Sequence, residues 1–133
     1  MSVSSCIAIR ADVDIITARQ RGRDVGAELG FPKTDLALIA TAISELARNI
    51  LTYAGEGEIE VAVQEGDGRR GILIVARDQG PGIADIALAL QDGSSTSRSL
   101  GIGLPGVRRL MDEFEVTSSE PGSGVVVRAA KWQ

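Results

Sequence analysis

Ile15, Ala18, Val25 and Leu29 recur at helical spacing, and the spacing predicts a helix from Ile15 to Leu29 with Asp14 as its cap and Gly30 and Pro32 as its stop. A stronger run follows. Leu36, Ile39, Ala40, Ile43, Leu46, Ala47 and Ile50 hold a period of about 3.6 residues, which predicts a helix from Thr34 or Asp35 to about Tyr53. After Gly55 and Gly57 the period falls to two: Ile59, Val61 and Val63 alternate with Glu58, Glu60, Ala62 and Gln64, as a strand with one apolar face does. The Gly66-Asp67-Gly68 turn leads into Gly71 to Ala76, an apolar run that reads as a central strand. Met1 to Ala11 alternates loosely and reads as a first strand. Downstream, Ile86 to Leu90 predicts a short helix, Asp92 to Ser99 a polar serine-rich loop, and Pro105 to about Phe114 a third substantial helix opened by proline. Glu115 to Ser119 and Val125 to Ala130 predict a closing hairpin that turns through Pro121-Gly122-Ser123-Gly124. The order β-α-α-β-β-α-α-β-β over residues 1–133 predicts a single α+β domain, a two-layer sandwich with a mixed, mainly antiparallel sheet and helices on one face.

Composition narrows the chemistry. With 44% hydrophobic and 24% charged residues the chain is an ordinary soluble globular protein, and its net charge of −4 argues against a nucleic-acid partner, which calls for a basic stripe. There is no histidine, so a Ser-His-Asp triad, a histidine phosphorelay and a His-ligated zinc are excluded. The single cysteine, Cys6, excludes an intrachain disulfide and a cysteine-cluster metal site; its place beside Ile7 and Ile9 predicts a packing residue. No apolar stretch reaches membrane-spanning length and Met1 to Arg10 lacks a signal pattern. A reduced, cytoplasmic protein is expected, and any general base must be a carboxylate. Lys33 and Lys131 are the only lysines, so recognition of anions favours guanidinium geometry.

Three segments carry chemistry. On the second predicted helix Thr41, Glu45, Arg48, Asn49 and Thr52 share a face outside the core stripe, with Glu45 and Asn49 four apart. A carboxylate beside an amide suits a site that takes a proton and holds Mg²⁺ through oxygen; a solvated face with an internal Glu-Arg pair is the plainer alternative. Asp78-Gln79-Gly80-Pro81-Gly82 follows the apolar strand, where two glycines around a proline turn the backbone sharply and the aspartate can accept from an exocyclic amine such as adenine's. A turn with a capping aspartate would look the same. Gly101-Ile102-Gly103-Leu104-Pro105-Gly106 opens the third helix and suits an anionic phosphate. It fits the letter of the dinucleotide fingerprint, but the segment before it is the polar Ser94 to Ser99 rather than a strand, and no Gly-Lys-Ser/Thr loop occurs.

Together, Glu45-x-x-x-Asn49, Asp78-x-Gly80-x-Gly82 and Gly101-x-Gly103-x-x-Gly106 resemble the asparagine box and the two glycine boxes of the GHKL (Bergerat-fold, HATPase) superfamily. Within it, Ala18-Arg19-Gln20, Ser44 to Ile50, Tyr53-Ala54-Gly55, Gly103 to Val107 and the closing Lys131-Trp132 resemble RsbT-type switch kinases of stressosome and partner-switching pathways. The resemblance implies a Bergerat-type sandwich and an ATP- and Mg²⁺-dependent serine/threonine protein kinase. Glu45 would be the general base and Asn49 the Mg²⁺ ligand. Asp78 would bind the adenine amine, with Gly80 and Gly82 shaping its pocket. Gly101, Gly103 and Gly106 would line the phosphates, Ser94 to Leu100 would act as a lid, and Arg48 would help neutralise phosphate charge. Implied partners are STAS-domain antagonist and sensor proteins of stressosome type and a PP2C-type phosphatase activated on release, with no nucleic acid and no membrane. Two other functions fit the same boxes: an anti-sigma factor kinase that sequesters a sigma factor, and a non-catalytic ATP/ADP-gated adaptor. The sequence sets no oligomeric state. It departs from the family in the last box, where Gly-Thr is usual and Gly124-Val125 stands, with Ser123 one residue away.

Overall fold

The computed structural model describes residues 4–78, 103–117 and 124–133. Five strands and three helices lie within them: β1 (Ser4–Ile9), α1 (Asp12–Leu29), α2 (Lys33–Tyr53), β2 (Gly57–Gly66), β3 (Arg69–Asp78), α3 (Gly103–Leu110), β4 (Glu113–Thr117) and β5 (Val126–Trp132). The sheet order is β1-β2-β3-β5-β4, and among the described residues every neighbouring pair is antiparallel. β3 is the central strand, as its unbroken apolar run predicts. Ile72, Ile74 and Ala76 join the core under the helices, while Val75 is buried on the other face beside Glu60 and Arg128. The expected two-layer α+β sandwich is therefore present. The helix predicted over Ile86 to Leu90 and the Asp92 to Ser99 loop lie outside the described residues.

α1 and α2 pack on each other and on the sheet, and α3 packs on α2. The inward stripe of α1 is Ala18, Gly22, Val25, Gly26 and Leu29, with Ile15 only half-buried. Gly22 and Gly26 bring the helices close: a Cβ on Gly22 would stand 2.1 Å from Ile43 Cδ1, and one on Gly26 2.7 Å from Leu36 Cδ2. α1 starts three residues before the predicted Ile15. Asp14 sits inside its first turn and reaches back, Oδ2 accepting from the N–H groups of Arg10 (2.8 Å) and Ala11 (3.0 Å). α2 keeps its predicted end at Tyr53, and its stripe from Ile39 to Ile50 supplies much of the core.

Two expectations are corrected. The third helix ends at Leu110 rather than near Phe114, which lies in β4. The turn at Met111-Asp112 is drawn to the sheet: the Asp112 N–H donates to the Ala130 carbonyl (2.9 Å), and Asp112 Oδ2 accepts from the Trp132 N–H (2.7 Å). Sheet pairing thus outweighs the short local helical pattern. Cys6, expected in the core, is exposed. Alternation along β1 sends Ile7 and Ile9 inward and Cys6 to the open face.

There the Cys6 thiol donates to Glu58 Oε2. That hydrogen bond first, then burial and the charges of Glu58 and Glu60, push the thiol up from 9.0 to about 11. The protonated thiol is the favoured form, so the stability this pair contributes is complete below pH 9.0 and is lost as pH rises through about 11. At pH 8 the thiolate fraction falls by roughly a hundredfold. Iodoacetamide should therefore alkylate the folded protein far more slowly than the urea-unfolded chain, and Glu58→Gln should restore most of the rate; equal rates for folded and unfolded protein would show that the pair is not made.

Candidate functional site

The polar flank of α2 is less solvated than its sequence suggests. Thr41, Arg48 and Thr52 are exposed and Asn49 is half-buried, but Glu45 is only 6% exposed and Ser44 is buried beside it. The cause is α3, which lays its first residue over the carboxylate: the Gly103 N–H donates to Glu45 Oε1 at 3.2 Å. The other oxygen, Oε2, accepts from the Arg48 guanidinium. The Glu-Arg pair of the plainer sequence alternative thus exists, with its acid buried and its base at the surface.

Gly103 adopts φ +65, in the left-handed region that glycine enters without strain. From that residue α3 starts, and its positive N-terminal end faces Glu45. Pro105 and Gly106 are buried within the same helix. At the far end Lys131, itself buried, donates from Nζ to the carbonyl of Leu110 (3.0 Å), placing a cation where the helix is negative. With the Asp112 bonds to β5, α3 is held at both ends.

Asp78 closes β3. Its N–H donates to the Val125 carbonyl (3.0 Å), and its Oδ1 accepts from the Val125 N–H (3.3 Å). The backbone of residue 125 therefore holds the aspartate, whichever side chain stands there. On the other side Asp78 pairs with Gly57 of β2. A Cβ on Gly57 would lie 2.3 Å from the Arg77 carbonyl oxygen, 2.9 Å from Ile50 Cγ2 and 3.2 Å from Asp78 Cα. Ile50 directly follows Asn49, so the last turns of α2 meet the strand end that carries Asp78.

A groove of about 640 Å³ runs along α1 and α2. Arg19, Arg23, Thr41, Arg48 and Glu45 are among its lining residues, whereas Asn49, Asp78 and Gly103 are not. Sequence reasoning missed it. Its signal was the Arg19–Arg23 pair, four residues apart and so on one face of α1.

The structure thus brings Glu45, Arg48 and Gly103 into contact and joins Asp78 to Val125 and Gly57. Gly80, Gly82 and Gly101 lie outside the described residues, as do Ser123 and the proposed lid. Among the described residues no group of three or more Cys, Asp or Glu side chains is placed to hold a metal. Asn49 remains as a hard-oxygen donor one turn from Glu45. That donor set fits Mg²⁺, which binds through one or two protein oxygens together with phosphate rather than in a protein cage.

Comparison with known proteins gives concordant results. Residues 9–131 match the family described as the histidine kinase-like ATPase domain. The chain is 53% identical over 132 residues to the serine/threonine-protein kinase RsbT of Bacillus subtilis (strain 168), covering 99% of this chain and 98% of that one. Among solved structures, the RsbU and RsbW domains of Rv1364c from Mycobacterium tuberculosis superimpose with a TM-score of 0.64 at 20% identity, covering all of this chain and 33% of that one. The mycobacterial sensor histidine kinase MprB gives 0.59 at 16% identity, covering 98% and 97%. At these identities the two structures speak for the fold.

Gly57 offers a test of the packing beneath Asp78. Its nearest obstacle is backbone, which cannot swing away, so Gly57→Ala should destabilise the protein by about 1–3 kcal/mol, the range for overpacking. Urea unfolding reads this directly; a midpoint equal to that of the unsubstituted protein would place Gly57 farther from Arg77 than described.

Proposed function

From the premise that the chain belongs to the histidine kinase-like ATPase domain family and is a protein serine/threonine kinase, we propose that its 133 residues form one kinase domain acting on STAS-domain proteins. The acceptors are an antagonist and a sensor of stressosome type. Once released from them the kinase binds and activates a PP2C-type phosphatase, and the setting is the cytoplasm. The observation that carries the reading is the buried carboxylate of Glu45 on α2, against the N-terminus of a glycine-opened helix.

Glu45 is the general base in this reading, the only kind of side chain a histidine-free protein can readily offer near neutral pH. Asn49 holds Mg²⁺, which when bound neutralises charge on the phosphate oxygens. Asp78 accepts from the adenine amine, with Gly80 and Gly82 at the base. Gly101, Gly103 and Gly106 receive the phosphates, aided by the positive end of α3. Val125 is compatible with this assignment because Asp78 is held by the backbone of residue 125.

Two measurements test it. In single turnover at saturating ATP, Glu45→Gln should slow phosphoryl transfer to a purified STAS-domain acceptor by roughly 10²- to 10⁴-fold, the usual scale of general-base catalysis, with ATP still bound. Asn49→Ala should instead lose the Mg²⁺-dependent part of nucleotide affinity. A Glu45→Gln rate within a few-fold of the unsubstituted enzyme would put the base elsewhere. By calorimetry, Asp78→Asn should weaken ATP binding by about 1–3 kcal/mol, the range for a buried polar partner left unmet. Unchanged affinity would remove Asp78 from the adenine site.

A further inference from the structure

Glu45 is held from two sides. Oε1 faces Gly103, on the side of the glycine box, and Oε2 faces Arg48, which lines the groove along α1 and α2. Among the described residues of the proposed catalytic and nucleotide set, only Glu45 and Arg48 also line the groove. With both oxygens engaged, an acceptor hydroxyl on the groove side reaches Oε2 only in competition with the Arg48 guanidinium. The Gly103 donor is a backbone amide in a helix whose far end is tied to β5. Arg48 is free to move, with 44% of its side chain exposed and its partner 8%.

The groove shows what would draw Arg48 away. Arg19, Arg23 and Arg48 line it, Glu45 is its only acidic lining residue among the described residues, and the protein as a whole carries a net charge of −4. The side chains of Arg19 and Arg23 make no hydrogen bond or ion pair among the described residues. Three guanidinium groups along one channel fit an acidic segment, and a carboxylate there can hold Arg48 in bidentate fashion. Resting on the kinase reading above, we propose that Arg48 is a positioning residue that latches Glu45, and that an acidic side chain of the acceptor protein docked in the α1–α2 groove takes over Arg48 and frees Oε2. The acceptor hydroxyl then gives its proton to Oε2 as its oxygen bonds the γ-phosphorus. The bond from that phosphorus to the β-phosphate oxygen breaks, and ADP leaves with the electron pair. While the groove is empty the latched base is withheld from water, and ATP is spared hydrolysis.

The test is ATP hydrolysis without an acceptor, and then with a STAS-domain partner whose phosphorylated residue is replaced by alanine. The unsubstituted kinase should hydrolyse ATP slowly alone and roughly tenfold faster with the alanine partner, a scale set by one charge-assisted hydrogen bond. Arg48→Met should hydrolyse at the faster rate without any partner and gain nothing from it. Arg48→Lys, which keeps the cation, should restore most of the restraint, and Arg48→Gln, which removes it, carries the test if the methionine variant does not fold. Arg48→Met hydrolysis at or below the unsubstituted rate overturns the latch. Because the arm without an acceptor needs no partner, it remains decisive if STAS-domain proteins prove not to be substrates. Loss of transfer in Glu45→Gln with no change in Arg48→Met would leave the kinase reading standing and remove the latch alone.

Discussion

A carboxylate taken out of water needs donors, and meeting that need for Glu45 organises the helical layer. Left unpaired at 6% exposure, it would cost several kcal/mol. One donor is local, the guanidinium of Arg48 a turn further along α2. The other is Gly103, 58 residues away in sequence, and it can reach only if α3 crosses α2 at this point with its N-terminus forward. The long core stripe of α2 meanwhile fixes that helix on the sheet and leaves Glu45 no freedom to turn outward.

The sheet supplies the other half of the placement. β5 runs beside the central strand, and its last residues grip the far end of α3 through Lys131 and, across Asp112, through Ala130 and Trp132. The other end of the same strand is entered through Val125, whose backbone pairs with Asp78. A single segment of ten residues, Gly124 to Gln133, therefore connects both ends of the proposed nucleotide site. Displacing β5 would disturb Asp78 and Gly103 together.

Much of this architecture is legible in the sequence because periodicity reports burial. The stripe from Ile39 to Ile50, the alternation of Ile59, Val61 and Val63 and the unbroken Ile72–Ala76 run predict their elements closely. The errors fall where a distant partner decides. Phe114 continues a helical pattern, but Asp112 pairs with β5 and starts a strand. Cys6 sits in an apolar run, yet the register of β1 turns it outward. Gly22 and Gly26 look like weak points of α1, and their value appears only with Ile43 and Leu36 against them. For the candidate site, the sequence marks Glu45, Asn49 and Asp78 by residue type and spacing. It gives no sign that Glu45 is buried, or that Arg19 and Arg23 share a groove with Arg48, since both facts depend on how separate helices cross.

Trp132 is the only tryptophan in the chain, and its surroundings make it a built-in optical reporter. Its indole N–H donates to Glu113 Oε2, the Arg69 guanidinium lies 5.1 Å from the ring centroid, and its backbone N–H is tied to Asp112 at the foot of α3. An indole bracketed by a carboxylate and a cation emits at a wavelength and yield set by their field. Any tilt of α3 moves Asp112 and the strand start at Glu113 with it. The position of the helix that covers Glu45 is thereby transcribed into emission from the opposite end of that helix, and can be followed in unlabelled protein at millisecond resolution by stopped flow.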